Sequence, residues 1–264
     1  MLGVKVPDHL QADAELLCGT LREAGALGLK LLAQKVKHWS KSDGSVVTEA
    51  DLAINEFLRE RLHGARPDYG WLSEETPDDA RRLTCQKLWV VDPIDGTQSF
   101  VNGTDGWCIG AALIDGERPV LSVLYRPMVD EFYFAAVGCG AWCNQQRLQP
   151  RDGAMLDKVE LMGTGKALKV LTAAGVHAVN SPHHPLLLRL AFVAQGRTDI
   201  ALSFGNKNDW DLAAGDLLVQ EAGATLSTLD GTQMIYNKPE PWQNGMVAAG
   251  PLRHATLMTY LGTL

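Results

Sequence analysis

Apolar residues recur at helical spacing from Asp8 to about Lys37, at Leu10, Leu17, Leu21, Leu27, Leu31 and Leu32, with Pro7 and Asp8 as a start signal. The pattern predicts a long amphipathic helix. Ser40 to Ser45 is polar and predicts a loop, after which Thr48-Glu49-Ala50-Asp51 opens a second helix carrying Leu52, Ile54, Phe57, Leu58 and Leu62. Thr48 followed three residues later by Asp51 is an N-terminal capping pattern. A carboxylate at a helix start can also face a cation, and the two readings exclude each other only if the side chain turns back onto its own helix. The period then shortens. Trp71-Leu72-Ser73 is a brief apolar run ending in Glu74-Glu75, of which strand alternation lets at most one aim inward.

The stretch that organises the chain is Leu88-Trp89-Val90-Val91-Asp92-Pro93-Ile94-Asp95-Gly96-Thr97. It reads as a buried strand running into a turn fixed by Pro93 and Gly96, with two carboxylates delivered to a sheet edge. Two carboxylates about 4 Å apart repel by roughly 4 kcal/mol at an effective dielectric of ~20, so the pairing calls for a shared proton or a cation. The same residues also read as plain turn residues beside a helix start. A helix beginning near Gln98 offers free amides at Gly96 and Thr97 that suit a phosphate. Strands are predicted at Trp107 to Ile114, Pro119 to Tyr125 and Glu131 to Ala136, forming an antiparallel meander. Polarity rises around Gln149 to Asp157, which divides the chain into an N-terminal α+β half, 1–150, and a C-terminal α/β half, 151–264. In the second half a strand at Val159 to Met162, a helix near Leu186 to Ala194, a strand at Asp199 to Ser203 and a helix from Trp210 to Ala222 ended by Gly223 come first. Strands at Ala224 to Ser227 and Met246 to Ala249 and a helix from Leu252 to about Leu261 follow. The alternation implies a layered α/β fold. Asp211 falls in the first turn of an otherwise apolar helix, where Asp211 or Asp209 also reads as a simple cap.

Composition narrows the function. The 264 residues are 46% hydrophobic, enough for a sizeable core, and the net charge of −7 gives no basic surface for a nucleic acid polymer or an anionic membrane. No window approaches the ~18 uninterrupted apolar residues of a membrane span, and Met1 to Pro7 lacks a basic stretch followed by an apolar run, so a cytoplasmic protein is expected. Five scattered cysteines predict free thiols. His183-His184, bracketed by Pro182 and Pro185, predicts a solvated loop pair.

Four fragments in order, Val47-Thr48-Glu49-Ala50-Asp51, Ser73-Glu74-Glu75, Trp89 to Thr97, and Trp210-Asp211-Leu212-Ala213-Ala214-Gly215 with Glu221-Ala222-Gly223, resemble the inositol monophosphatase superfamily of metal-dependent, lithium-sensitive phosphatases. The resemblance implies a layered αβαβα sandwich of the inositol monophosphatase and fructose-1,6-bisphosphatase type, commonly a homodimer. It assigns Glu74, Asp92 and the Ile94 carbonyl to a first Mg²⁺, Asp92, Asp95 and Asp211 to a second, and Glu74 also to a third, weaker one. Thr97, paired with Asp51, would orient the attacking water, and Asp95, Gly96, Thr97 and Asp211 would contact substrate. Mg²⁺ agrees with the residue chemistry, since it prefers hard oxygen ligands and keeps waters that leave room for phosphate.

Gly96-Thr97-Gln98-Ser99-Phe100, the strand pair around Ala111 to Leu121 and Tyr125-Arg126-Pro127 are most similar to bacterial 3'(2'),5'-bisphosphate nucleotidases. A small phosphorylated metabolite is the expected partner, with inositol 1-phosphate or histidinol phosphate as alternatives. Two departures stand out. His184-Pro185-Leu186-Leu187 occupies the place of a Gly-Ser substrate wall, and Ser203-Phe204-Gly205 lacks the acid of inositol-specific members. Leu186, Leu187 and Phe204 offer an apolar wall for a base, or else pack as core. A regulatory binding protein with vestigial catalysis is the alternative class; intact Glu74, Asp92, Asp95, Thr97 and Asp211 oppose it, because acids clustered without a metal only repel.

Overall fold

The structure is a computed structural model and describes residues 4–41, 44–180 and 184–262. The first half opens with α1 (Asp8–Gln34), the hairpin β1 (His38–Ser40) and β2 (Val46–Thr48), then α2 (Glu49–Leu58) extended by a wider turn, Arg59–His63. β3 (Gly70–Ser73), β4 (Lys87–Asp95), α3 (Thr97–Val101), β5 (Cys108–Asp115), β6 (Arg118–Arg126), β7 (Glu131–Ala136), β8 (Ala141–Cys143) and β9 (Gln146–Arg147) follow. β3 pairs parallel with β4, and the remainder is antiparallel in the order β3-β4-β5-β6-β7-β8-β9. The expected meander is present, lengthened by β8 and β9.

The second half runs β10 (Asp157–Gly163), α4 (Gly165–Ala173), β11 (His177–Asn180), α5 (Leu186–Ala194), β12 (Ile200–Asn208), α6 (Ala213–Ala222), β13 (Thr225–Ser227), β14 (Trp242–Ala249) and α7 (Pro251–Leu261). Its five strands are ordered β11-β10-β12-β14-β13. α1 and α2 cover one face of the seven-stranded sheet, α5 and α6 lie between the two sheets, and α4 and α7 cover the outer face of the second. This is the αβαβα sandwich. Among the described residues no helix is long and apolar enough to cross a membrane, and all five cysteines are free thiols.

Strand alternation divides the core. On β4, Leu88 and Val90 join the cluster around α5 and α6, whereas Trp89 and Val91 join the cluster under α1 and α2. α5 is buried at every position, as expected of a helix apolar all round and held between two sheets. Gly110 on β5 permits the contact, since a Cβ there would lie 2.4 Å from Leu187 Cδ1.

Several expectations change. α1 ends at Gln34 rather than near Lys37, because Lys35 turns left-handed at φ 51°. Part of the polar 40–45 loop is the β1–β2 hairpin turn, with Ser42 and Asp43 outside the described residues. α4 and β11 carry too weak a pattern to be predicted. β4 does not stop at a turn before Asp92; it continues to Asp95 through a register irregularity, and the sharp bend comes at Gly96. His183 and Pro182 lie outside the described residues, while His184 is only half exposed and sets its ring edge against Phe192, 5.1 Å between centroids. It is a packed residue, not a solvated one.

Candidate active site

The carboxylates of β4 owe their placement to the irregularity. Strict alternation would put Asp92 and Asp95, three apart, on opposite faces. The shift between them sends Ile94 to the α1–α2 side with Trp89 and Val91, and lets Asp95 reach α5, where the Leu187 amide donates to its Oδ2 at 2.6 Å. Gly96 then bends the chain at φ 98°, with Gly106 O only 2.6 Å from where a Cβ would stand. No other residue fits that angle and that gap.

Asp51 turns one carboxylate oxygen back onto the start of its own helix and the other toward Thr97. Its Oδ2 accepts from Thr48 N at 2.8 Å and Thr48 Oγ1 at 2.6 Å, completing a capping box, while its Oδ1 lies 3.0 Å from Thr97 Oγ1. The Thr97 hydroxyl is also 3.2 Å from the Ile94 carbonyl oxygen. Burial raises the Asp51 pKa above the ordinary carboxylate value, against the pull of these hydrogen bonds.

Glu74 and Glu75 correct the alternation argument. Both reach Lys41 Nζ, at 3.3 and 2.6 Å, because both lie beyond the end of β3 in a turn, where the two-residue period no longer applies. The contact of both acids with Lys41 was not anticipated; a lone lysine in a polar loop carries no signal of a contact more than thirty residues away. Asp211 needs a correction of another kind. α6 begins at Ala213, and Asp211 sits on a preceding 3₁₀ turn, Asp209–Asp211, where its Oδ2 accepts from Asn208 N at 3.0 Å in a second capping box.

Electrostatics tie these groups together. Burial pushes Glu74 up to about 7, with Glu75 and Asp211 adding to the effect and Lys41 opposing it. Asp95 is pushed up to about 8 by burial and by Asp211, and Asp211 to about 6 by burial. Asp92 is fully enclosed and driven well above its ordinary value by burial, then by Glu74, Asp95, Asp211 and Asp51. Its Oδ1 has no hydrogen-bond partner among the described residues. Buried acids that repel one another around an orphaned oxygen match a hard cation that takes oxygen ligands. Among the described residues no three such side chains already converge as a finished metal cluster; Glu74 in particular is turned to Lys41.

The substrate side departs further from expectation. Leu186 and Leu187 are core residues, 8% and 0% exposed, and form no wall. Phe204 is half-buried, with Lys166 Nζ 5.2 Å from its ring centroid. Two unanticipated cations act on the acids electrostatically, Arg189 on Asp95 and Lys207 on Asp211, while Arg189 donates to the backbone carbonyl of His184 and Lys207 to those of residues 204–206.

A family model described as the inositol monophosphatase family matches residues 9–262. The chain belongs to that family. Two similar relatives within it bear different names. A 3'(2'),5'-bisphosphate nucleotidase CysQ of Salmonella typhimurium is 32% identical over 239 residues, covering 87% of this chain and 96% of the relative. An inositol-1-monophosphatase of Mesorhizobium japonicum is 31% identical over 231 residues, covering 80% of each. The family fold recurs in the solved extragenic suppressor protein suhB of Bartonella henselae, with TM-score 0.83, 26% identity, and 95% of this chain and 98% of that one covered.

Proposed function

We propose that this family member is a Mg²⁺-dependent phosphoric monoester hydrolase acting on a small phosphorylated metabolite, preferentially a 3'(2'),5'-bisphosphate nucleotide. The observation that carries the reading is the set of buried, mutually repelling carboxylates around the unpartnered Asp92 Oδ1. Glu74, Asp92 and the Ile94 carbonyl hold one ion in this reading, Asp92, Asp95 and Asp211 a second, and Glu74 contributes to a third. Mg²⁺ bound there supplies Lewis-acid polarisation of the phosphate ester.

The chain's own residues do the rest. The Thr97 hydroxyl has one proton and two acceptor lone pairs. Its proton goes to Asp51 Oδ1 or to the Ile94 carbonyl, at 3.0 and 3.2 Å, so its lone pairs accept from the attacking water and fix its direction. Asp51, held by Thr48 and made more basic by burial, takes the Thr97 proton as Thr97 takes one from the water; the new P–O bond forms, the ester P–O bond breaks, and the leaving alkoxide is protonated by solvent water. The amides of Gly96 and Thr97 at the start of α3 support the phosphate in the same reading. So do Asp95 and Asp211 on its metal side.

Preference for a bisphosphate nucleotide is supported by the CysQ relative and by the absence of an acid at Ser203-Phe204-Gly205. The Mesorhizobium relative favours inositol 1-phosphate as the second reading. We further propose a homodimer inhibited by Li⁺ and by Ca²⁺, whose looser geometry fills carboxylates without aligning water and leaving group. Phosphate release from adenosine 3',5'-bisphosphate, inositol 1-phosphate and histidinol phosphate, with and without Mg²⁺, tests the proposal. Mg²⁺-dependent turnover with a roughly 10- to 100-fold kcat/KM advantage for the bisphosphate is expected. Preference for either other ester overturns the substrate class, and absence of turnover on all three favours a binding protein.

A further inference from the structure

Asp211 and Glu74 follow strands of different sheets, and a chain of hydrogen bonds runs between Asp78, four residues after Glu74, and Asp209, two residues before Asp211. Arg82 lies on the short turn Ala80–Thr84, eight residues after Glu74, and is 2% exposed. Its guanidinium forks onto Asp78, Nε to Oδ1 at 2.6 Å and Nη2 to Oδ2 at 2.9 Å. The remaining donors cross to the other half of the molecule: Nη1 to Asn237 Oδ1 at 2.8 Å, and Nη2 to the carbonyls of Lys238 and Pro239 at 2.8 and 3.3 Å. Asn237, left-handed at φ 57°, turns its backbone amide to Asp209 Oδ2 at 3.2 Å. Asp209 is completely buried, its Oδ1 accepts from Gln243 Nε2 at 3.1 Å, and its own amide donates to Pro241 O at 2.9 Å. Two residues later comes Asp211.

The geometry points to Arg82 and Asp209 as positioning residues that set the distance between Glu74 and Asp211, and through it the affinity for the divalent cation. This rests on the metal-ligand reading proposed above. A planar guanidinium forked onto one carboxylate and bonded to three further acceptors has little freedom, so the 237–239 segment it grips is fixed relative to Asp78, four residues along the chain from Glu74. Asp209 passes that position on, because it is bonded to the same segment and stands on the 3₁₀ turn that carries Asp211. Neither side chain is placed among the carboxylates proposed to bind metal. Each acts through another residue, as partners behind a metal ligand do.

The test is Mg²⁺ binding measured by isothermal titration on the full chain, at a temperature where every variant is folded by circular dichroism. Arg82→Gln and Asp209→Asn are each expected to weaken binding about tenfold, within the range for residues that orient ligands. The double variant should be no weaker than the worse single one, since both interrupt the same chain of contacts. Asn237→Gly, which removes the Oδ1 acceptor while glycine tolerates the left-handed backbone, carries the same expectation if Arg82→Gln does not fold. Asp211→Asn serves as the control. Binding that Asp211→Asn loses but the Arg82, Asp209 and Asn237 variants retain at wild-type strength, with only their melting temperatures lowered, overturns the positioning role alone. Wild-type binding that Asp211→Asn leaves untouched overturns the metal-ligand reading and this inference with it.

Discussion

The two sources of carboxylates reach the site by different physical means. Asp92 and Asp95 are carried by backbone: β4 is paired with β3 up to Val91 and with β5 as far as Asp95, and the irregularity after Asp92 brings Asp95 to α5 in the layer between the sheets. Asp211 is carried by side chains: its 3₁₀ turn lies past the end of β12 and is held by Asn208, by buried Asp209 and by the segment that Arg82 grips. A ladder of main-chain bonds survives the loss of any one side chain. A turn held by a few buried polar contacts does not, because each lost partner leaves another buried group unsatisfied. Substitutions on β4 should therefore remove chemistry and spare the fold, whereas those around Asp211 should loosen geometry.

The largest effect is expected from Asp95→Asn, which removes one buried ionisable carboxyl group and almost no volume. Turnover should fall by at least about 10³-fold while the metal-free protein melts at a higher temperature, since Asp95 is destabilised by burial and by Asp211. Phosphate release in saturating Mg²⁺ and a thermal melt in chelator check both; near-normal turnover would remove Asp95 from the site. Next is Thr97→Val, isosteric without the hydroxyl. It should cost about 10²-fold in kcat with Mg²⁺ affinity unchanged, the amount ascribed to one group that orients and relays a proton. A change in Mg²⁺ affinity of similar size would place Thr97 in ion binding instead.

A third expectation separates the acids from the rest of the protein by pH. Glu74 and Asp95 rise in the fold from 4.5 and 3.8 to about 7 and about 8. Between the unfolded and folded values the native state therefore holds more protons than the unfolded chain, and stability falls as pH rises through that window. The melting temperature in chelator should decline from about pH 5 to pH 8, and saturating Mg²⁺ should flatten the slope. A decline that Asp95→Asn and Glu74→Gln leave unchanged would assign it to other groups. The smallest effect belongs to Asn208→Ala, which removes one side-chain cap from the Asp211 turn. A loss of about 1 kcal/mol in stability and a few-fold rise in the Mg²⁺ activation constant are expected from titrations of activity. No change in that constant would show that backbone alone holds Asp211.

The same contrast explains what the amino-acid sequence made legible. The Thr48–Asp51 cap, a hydroxyl three residues before an acid, stands where its local pattern put it, whereas Asp92 and Asp95, expected in a turn, lie on the strand itself with the bend only at Gly96. The layered fold was legible in the alternation of helical and strand patterns along the second half, while the place of α5 and α6 between two sheets was not. Glu74 and Glu75 escaped the alternation rule because the chain had already left its strand. Leu186 and Leu187 lost their place in a substrate wall because a second sheet covers the far side of α5, which no spacing within one helix reveals. Lys41 with Glu75, the Leu187 amide with Asp95, and Arg82 with Asn237 join residues 34, 92 and 155 positions apart, so only tertiary structure brings them together.

The claim beneath all of this is that the buried acids hold protons until a divalent cation replaces them. Isothermal titration of the wild-type protein with Mg²⁺ at pH 6.5, in two buffers of different ionisation enthalpy, measures that exchange directly. Binding is expected to release protons, detected as a buffer-dependent heat, with the release shrinking as the pH is raised toward 8.5 beyond the value of about 8 for Asp95. Mg²⁺ binding with the same heat in both buffers at pH 6.5, or no binding at all, would contradict the account.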